Sequence, residues 1–220
     1  MFDAIAPRYD LLNRVLSAGI DRRWRARAIR SLQLTGHETL LDVCTGTADV
    51  ALEGRAARRV LGVDFAGAML SLGLRKVRAA GLAHRIALVR GDATRLPVPD
   101  GSVDAATVAF GIRNVQQPAV ACLEIARALR AGGRLAILEF GVPPIPGITT
   151  LYLWYFRYLL PLVGRAVSGH HSAYSYLPAS VGTFPTPAEF MSILRAAGFA
   201  DVRADPLTFG IVYLYTGRKF

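Results

Sequence analysis

Short apolar runs alternate with helical stretches over most of the chain. Runs that are almost wholly apolar and bounded by Gly, Asp or Pro predict strands covered on both faces. Five such runs predict parallel strands at residues 39–44, 59–63, 86–90, 105–110 and 134–140. Helical patterns between them predict helices at residues 48–57, 66–80 and 118–130. This alternation is typical of an open, doubly wound α/β sheet.

The end of the chain adds a helix and two strands to this pattern. A helix is predicted at 187–197, followed by strands at 201–207 and 211–217. Only Thr208, Phe209 and Gly210 join these strands, which is too short for a parallel crossover. We therefore expect the last two strands to be antiparallel.

The N-terminal residues have helical spacing and lack strand-like runs. Phe2, Ile5, Tyr9 and Leu12 recur every three or four positions, and an Arg-rich helix is predicted at 22–34. The chain is interpreted as a single domain, 1–220. Within it, 1–34 would form a helical lid.

A second addition follows the fifth strand, at residues 141–182. Its centre, 148–164, is apolar and rich in aromatic residues but carries Arg157 and Pro161. A bilayer span needs about 20 apolar residues and tolerates a central Arg badly. The insertion therefore predicts a buried or interfacial helix that faces substrate or membrane.

Composition narrows the class of protein. The chain is 52% hydrophobic and 19% charged, which excludes a disordered tail or a coiled coil. Its net charge of +10 is compatible with a nucleic acid or an anionic membrane as partner. The apolar insertion favours the membrane and argues against nucleic acid. No secretory signal opens the sequence, which favours a cytoplasmic protein, peripheral on the inner face of the membrane.

Two cysteines, Cys44 and Cys122, are too few for a disulfide framework or a four-ligand zinc site. We interpret both as small buried residues. No metal site is predicted.

Polar groups follow the first predicted strand in the run LLDVCTGTAD. Asp42 stands near the strand end, Gly46 lets the backbone approach a ligand, and Thr47 and Asp49 begin the next helix. The loop matches neither the GxGxxG of dinucleotide-binding folds nor the GxxxxGK[ST] of nucleotide triphosphatases. A loop flanked by carboxylates suits a cationic amine or sulfonium better than a pyrophosphate.

Acids also end the next two strands. Asp64 lies 22 residues after Asp42, where a carboxylate can accept hydrogen bonds from ribose hydroxyls. Asp92 and Ala93 follow the third strand and can offer a carboxylate and a backbone N–H to adenine. A single Asp before a helix usually caps the helix N-terminus. Several acids at the ends of neighbouring strands in one sheet instead predict a shared ligand, S-adenosyl-L-methionine, as cofactor.

Two further polar residues, Arg113 and Asn114, lie beyond the fourth strand in AFGIRNV. They are the predicted catalytic residues, although Arg113 could instead form a structural pair with an acid. A guanidinium stays protonated, so Arg113 would not act as a base.

These blocks resemble the menaquinone/ubiquinone biosynthesis C-methyltransferase family. The matching runs include FDAIAPRYDLLNRVLSAGIDRRWR, GDATRLPVPDGSVDAATVAFGIRNV, RALRAGGRLAILEF, YSYLPASV and GRKF, and they cover essentially the whole chain. In the family's first loop, GGTGD, two glycines are replaced here by Thr45 and Ala48. This replacement requires negative φ at both positions.

The resemblance implies a Rossmann-like sheet of order 3-2-1-4-5-7-6, with the last strand antiparallel. It assigns Thr47, Asp64, Asp92 and Ala93 to the cofactor. The implied reaction is C-methylation of a lipid-tailed quinol, demethylmenaquinol to menaquinol, which leaves S-adenosyl-L-homocysteine. We also expect Tyr9 and Arg25 to fold over the cofactor as part of the lid. With a quinol as acceptor, Arg113 would stabilise the developing phenolate while Asn114 orients the water that takes the proton.

Several alternatives stay open at this point. The acceptor could be the benzoquinol precursor of ubiquinone, or the chain could be another class I small-molecule or RNA methyltransferase. A membrane-surface protein without activity would explain the charge but not the aligned acids. The proton could be taken by water or by His170 or His171, since imidazole can act as a base near neutral pH. A homodimer is also compatible with the sequence.

Overall fold

The computed structural model describes residues 17, 19–154 and 180–220, without the side chains of Leu151 and Leu153. Its strands are β1 (Thr39–Val43), β2 (Arg59–Asp64), β3 (Ile86–Arg90), β4 (Val103–Ala109), β5 (Leu129–Phe140), β6 (Phe199–Leu207) and β7 (Val212–Lys219). They form one sheet of order β3-β2-β1-β4-β5-β7-β6, which confirms the expected fold class.

Strand direction also agrees with the sequence. Strands β1 to β5 pair in parallel, whereas β7 runs antiparallel to both β5 and β6. The chain order reverses between β1 and β4, and ligands of such sheets bind outside the strand ends at this switch point.

Helices cover both faces of the sheet. They are α1 (Asp21–Ser31), α2 (Asp49–Glu53), α3 (Gly67–Ala79), α4 (Pro118–Ala128), α5 (Pro146–Trp154) and α6 (Pro187–Ala196). One core layer joins Ile125 of α4 and Phe190 of α6 to the sheet. The other joins Trp24 of α1 and Val77 of α3 to the opposite face. Both faces of the central strands are therefore buried, as their apolar runs predicted.

Several predicted boundaries were wrong. The helix expected at 118–130 ends at Ala128, and β5 begins at Leu129, which pairs with Val103. The helix expected at 48–57 is the short α2, followed by a 3-10 turn at Gly54–Ala56. Gly54 begins this turn and lies so close to the sheet that an added Cβ would clash with Leu40 Cδ2.

Part of the predicted additions lies outside the described residues. This applies to the helix expected before residue 17 and to residues 155–179. The aromatic insertion does begin as a helix, at Pro146 rather than at 148. Among the described helices, none is long and apolar enough to cross a bilayer. The lid role of 1–34 and the role of the insertion stay predictions.

Candidate active site

A cleft of about 490 Å³ opens at the carboxyl edge of the sheet, beside the switch between β1 and β4. This volume lies within the range of about 300–1,000 Å³ usual for small-molecule sites. Of the predicted site residues, the structure brings together Gly46, Asp64, Asp92, Ala93 and Asn114 in its lining.

Asp64 ends β2, and its carboxylate is fixed by two backbone amides. The Gly46 N–H donates to Oδ2 and the Ala66 N–H donates to Oδ1, each at 2.8 Å. A carboxylate oxygen can accept more than one hydrogen bond. The carboxylate is thus oriented before any ligand arrives.

Asp92 is held in a turn after β3. Its Oδ1 accepts hydrogen bonds from the Thr94 N–H and from the Thr94 hydroxyl, both at 2.8 Å. These bonds hold the pKa of the Asp92 carboxyl below its ordinary value, so it stays ionised at neutral pH. A negative charge therefore stands beside the Ala93 backbone in the cleft.

The loop after β1 has left-handed backbone at three alternate positions: Cys44 (φ +55°), Gly46 (φ +55°) and Ala48 (φ +66°). Only Gly46 adopts this region without strain. Thr45 and Ala48 replace two glycines of the family's loop, and negative φ was expected at both. This expectation is confirmed at Thr45 and is wrong at Ala48. Ala48 is fully buried despite this backbone strain. Its small side chain fits against α3, where a Cβ added to Gly73 would lie 3.1 Å from the Ala48 Cβ.

Cys44 is not the buried residue expected, because it is partly exposed and lines the cleft. Desolvation, with Asp64 and Asp42 nearby, raises the pKa of the Cys44 thiol, so it is not a thiolate nucleophile. Gly111 from the loop after β4 packs directly on it, since an added Cβ would lie 3.0 Å from Cys44 Sγ. Cys122 is buried as predicted.

Cations from two helices hold the start of α2 in place. Lys76 of α3 donates to Thr47 Oγ1 at 2.9 Å and to Asp49 Oδ1 at 2.5 Å. Arg25 of α1 pairs with Asp21 at 2.6 Å and reaches Asp49 Oδ2 at 3.4 Å. Thr47 and Arg25 are thus buried beside the cleft rather than in its lining. The sequence held one signal for Lys76, since the chain contains only two lysines.

Asp42 also lies beneath the cleft surface, with 1% of the residue exposed. The Thr45 hydroxyl donates to its Oδ2 at 2.5 Å, and its buried Oδ1 has no hydrogen-bond partner within the described residues. Desolvation, helped by the charge on Asp64, raises the pKa of Asp42 to about 7. Asp42 is not among the residues that line the cleft.

Arg113 forms the pair with an acid that the sequence left open, and its partner, which the sequence did not identify, is the buried Glu139. Its Nη1 donates to Glu139 Oε1 at 2.5 Å and to the Phe110 carbonyl at 2.7 Å. Glu139 is fully buried, and it also accepts from the Arg113 N–H at 3.2 Å and the Phe140 N–H at 2.9 Å. The only sequence signal was an acid at the end of the apolar run AILEF.

This pair shapes the wall that carries Asn114. The Asn114 Nδ2 donates to the Phe110 carbonyl at 3.4 Å, the same oxygen that Arg113 holds. Among the described residues, two buried atoms here lack partners: the donor Nε of Arg113 and the acceptor Oδ1 of Asn114. Unpaired buried polar atoms are costly, so a ligand or a water that supplies their partners would be stabilised.

The charge of the cleft is opposite to that of the whole protein. Its described lining includes Asp64 and Asp92 but neither Lys nor Arg, although the chain carries a net charge of +10. The described residues also contain no group of three or more His, Cys, Asp and Glu that could hold a metal ion. Tyr9, His170 and His171 lie outside the described residues.

Comparison with known proteins gives consistent matches over the whole chain. The sequence profile of the ubiE/COQ5 methyltransferase family matches residues 1–219. "Ubiquinone/menaquinone biosynthesis C-methyltransferase UbiE" of Syntrophotalea carbinolica is 48% identical, over 100% of this chain and 92% of its own. "Demethylmenaquinone methyltransferase" of Thermus thermophilus is 45% identical over 100% of both chains. The protein of that name in Deinococcus radiodurans is 46% identical, over 100% of this chain and 91% of its own.

Solved structures share the fold at low sequence identity. The [4+2]-cyclase SpnF superposes with a TM-score of 0.73 at 20% identity, covering 100% of this chain and 94% of its own. A SAM-dependent methyltransferase from Aquifex aeolicus has a TM-score of 0.60 at 19% identity, covering 88% of this chain and 87% of its own.

Proposed function

The chain belongs to the ubiE/COQ5 methyltransferase family, and from that premise we propose that it methylates a ring carbon of demethylmenaquinol, using S-adenosyl-L-methionine. The products are menaquinol and S-adenosyl-L-homocysteine. The observation that carries this proposal is the acidic cleft at the switch point of a strongly basic protein.

The described residues fit the cofactor. When bound, S-adenosyl-L-methionine supplies an electrophilic methyl group on a cationic sulfonium. The Asp64 carboxylate, already oriented by the amides of Gly46 and Ala66, would accept from ribose hydroxyls. Asp92 would accept from the adenine amine, and its Oδ2 accepts no hydrogen bond within the described part of the chain. Both carboxylates also stabilise positive charge in the cleft.

Two predicted cofactor residues act on the loop rather than on the ligand. Asp42 holds Thr45, and Thr47 is tied to Lys76, so each fixes one end of the turn that presents the Gly46 amide. We propose that both residues position the cofactor loop from beneath.

Arg113 and Asn114 are proposed to serve the methyl acceptor. A ring carbon becomes nucleophilic when a neighbouring hydroxyl loses its proton, so the oxyanion needs a donor and the proton needs an acceptor. The unpaired Oδ1 of Asn114 can orient the water that takes this proton. The unpaired Nε of Arg113 is a donor for the oxyanion, and Glu139 fixes its guanidinium.

The relatives favour the naphthoquinol ring. Those from Thermus and Deinococcus are named demethylmenaquinone methyltransferase, and this chain matches them over its full length. The benzoquinol precursor stays the second candidate, because other relatives carry both quinones in their names. The lack of Lys and Arg in the described lining argues against RNA, whose phosphates need cations.

The lipid tail of the acceptor sets where the reaction takes place. Transfer of apolar chain into water costs about 0.8 kcal/mol for each CH₂, so a long prenyl tail stays in the bilayer. We therefore propose that the protein works as a peripheral enzyme at the membrane surface.

A competition between two acceptors tests the proposed reaction. Methyl transfer from methyl-labelled S-adenosyl-L-methionine would be measured with short-tailed, reduced demethylmenaquinone and with the short-tailed benzoquinol precursor. We expect faster transfer to the naphthoquinol ring, with label on carbon. Label on oxygen, transfer to neither ring, or a preference for the benzoquinol would contradict the proposal.

A further inference from the structure

An exposed aromatic turn stands between β6 and β7. Phe209 is 67% exposed, and both Thr208 and Phe209 have left-handed backbone, with φ of +46° and +60°. This region is unfavourable for residues other than glycine, most of all for a β-branched or bulky one. Such strain persists only where the surrounding structure enforces it, and it is concentrated at functional positions.

Two neighbouring elements enforce this turn. The Trp24 indole of α1 donates to Thr208 Oγ1 at 2.9 Å. On the other side Gly210 packs against Pro144, where an added Cβ would lie 2.8 Å from the proline Cδ. The turn is thus clamped while the Phe209 ring remains in solvent.

The turn lies at the same edge of the sheet as the cleft. Val212, the first residue of β7, pairs with Phe140 at the carboxyl end of β5. Three further apolar side chains, each roughly half exposed, accompany Phe209 on the segments that pack here: Val142, Ile145 and Trp154. We name these four residues the rim patch. Its segments join the turn through Pro144 and through Tyr152, which packs against Ile211.

A basic surface adjoins the rim patch. Helix α1, which contacts the turn through Trp24, exposes Arg22, Arg23 and Arg27, whereas its Asp21 is buried and paired with Arg25. Arginines close to an anionic membrane contribute about 1 kcal/mol each. An apolar patch beside exposed arginines is complementary to a membrane with anionic headgroups.

We propose that the rim patch inserts into an anionic bilayer, with Phe209 as its principal anchor and α1 against the headgroups. The inference rests on the proposed function, because a lipid-tailed acceptor requires the cleft to face a membrane. It adds the β6–β7 turn as the docking element. The tail of the acceptor could then stay in the bilayer while its ring enters from the same edge.

Vesicle cosedimentation tests this with a matched pair of phenylalanines. Phe220 is 77% exposed but follows the other end of β7, at the edge of the sheet away from the cleft. At low salt we expect the full chain to bind phosphatidylcholine vesicles only when they contain phosphatidylglycerol. Phe209→Ser should weaken this partitioning about tenfold or more, the scale of one inserted aromatic ring. Phe220→Ser should leave it unchanged, and Phe209→Leu should retain most of it.

Three results would overturn the inference. They are a wild-type chain that stays in solution with anionic vesicles, a Phe209→Ser variant that binds like the wild type, and an equal loss for Phe220→Ser. If Phe209→Ser abolishes self-association but not vesicle binding, the rim patch is a contact between two copies and the membrane role is wrong.

A soluble assay separates this inference from the proposed function. Methyl transfer to a short-tailed quinol in solution needs no membrane, so Phe209→Ser should leave its rate unchanged. Wild-type transfer without vesicle binding would overturn the membrane inference alone. Vesicle binding without transfer would refute the proposed reaction and leave the docking surface standing.

Discussion

The buried ion pair between Arg113 and Glu139 offers a sharp test of how the acceptor wall is built. We consider Glu139→Gln, which keeps the shape of the side chain and removes its charge. The side chains of Arg113 and Glu139 are 9% and 0% exposed, so little water can replace the lost carboxylate. The amide would also turn a donor toward one of the three groups that now donate to Glu139.

The magnitude follows from this burial. Removing one partner of a buried pair costs about 3–5 kcal/mol, because the other charge is left uncompensated. Each kcal/mol lowers the melting temperature by about 2–4 °C in a domain of this size. We therefore expect a loss of roughly 6–20 °C in calorimetry and a matching decrease in the free energy of unfolding by urea.

A matched control is Asp100→Asn. Asp100 pairs with Arg127 at 2.6 Å, but its side chain is 81% exposed, so the expected loss is about 0–1 kcal/mol. In a double-mutant cycle, Arg113→Met should add much less than its own cost to Glu139→Gln, since both changes break one contact. A loss below about 1 kcal/mol for Glu139→Gln, or strictly additive costs, would refute this account of the pair.

Three further predictions concern the cofactor, the chemistry and pH. Asp64→Ala should weaken S-adenosyl-L-methionine binding by about 1.5–3 kcal/mol, and unchanged affinity in titration calorimetry of the folded variant would contradict its role. Arg113→Lys should leave cofactor affinity nearly intact but slow single-turnover methyl transfer roughly 100-fold; a normal rate would exclude the oxyanion contact. Asp42 keeps its proton up to about pH 7 in the folded chain, against an ordinary pKa of 3.8. The folded state thus binds more protons between these values, so this group lowers stability as pH rises from about 4 to 7. Asp42→Asn should flatten that slope in urea unfolding; an unchanged slope would show that another group causes it.

The sequence by itself determined where the strands lie and in which direction they run, and the resemblance to a known family implied their order in the sheet. Apolar runs bounded by Gly, Asp and Pro located the five parallel strands, because a strand buried on both faces must be apolar along its length. The three-residue link at Thr208–Gly210 required an antiparallel pair. Asp64 and Asp92 could be assigned to the cleft because the ends of parallel strands meet at one edge.

Only the tertiary structure decided which polar residues face the cleft. Asp42 and Thr47 follow the first strand as predicted, yet contacts with Thr45 and Lys76 hold them beneath the cleft surface. Glu139 fixes the guanidinium of Arg113 in the wall beside Asn114. Lys76 is 29 residues from Thr47, and Glu139 is 26 residues from Arg113. Local sequence patterns do not encode such distant pairings, because they arise when different crossovers pack against the same sheet edge. The sequence therefore places the chemistry at an edge, and packing assigns each side chain to the ligand or to the wall behind it.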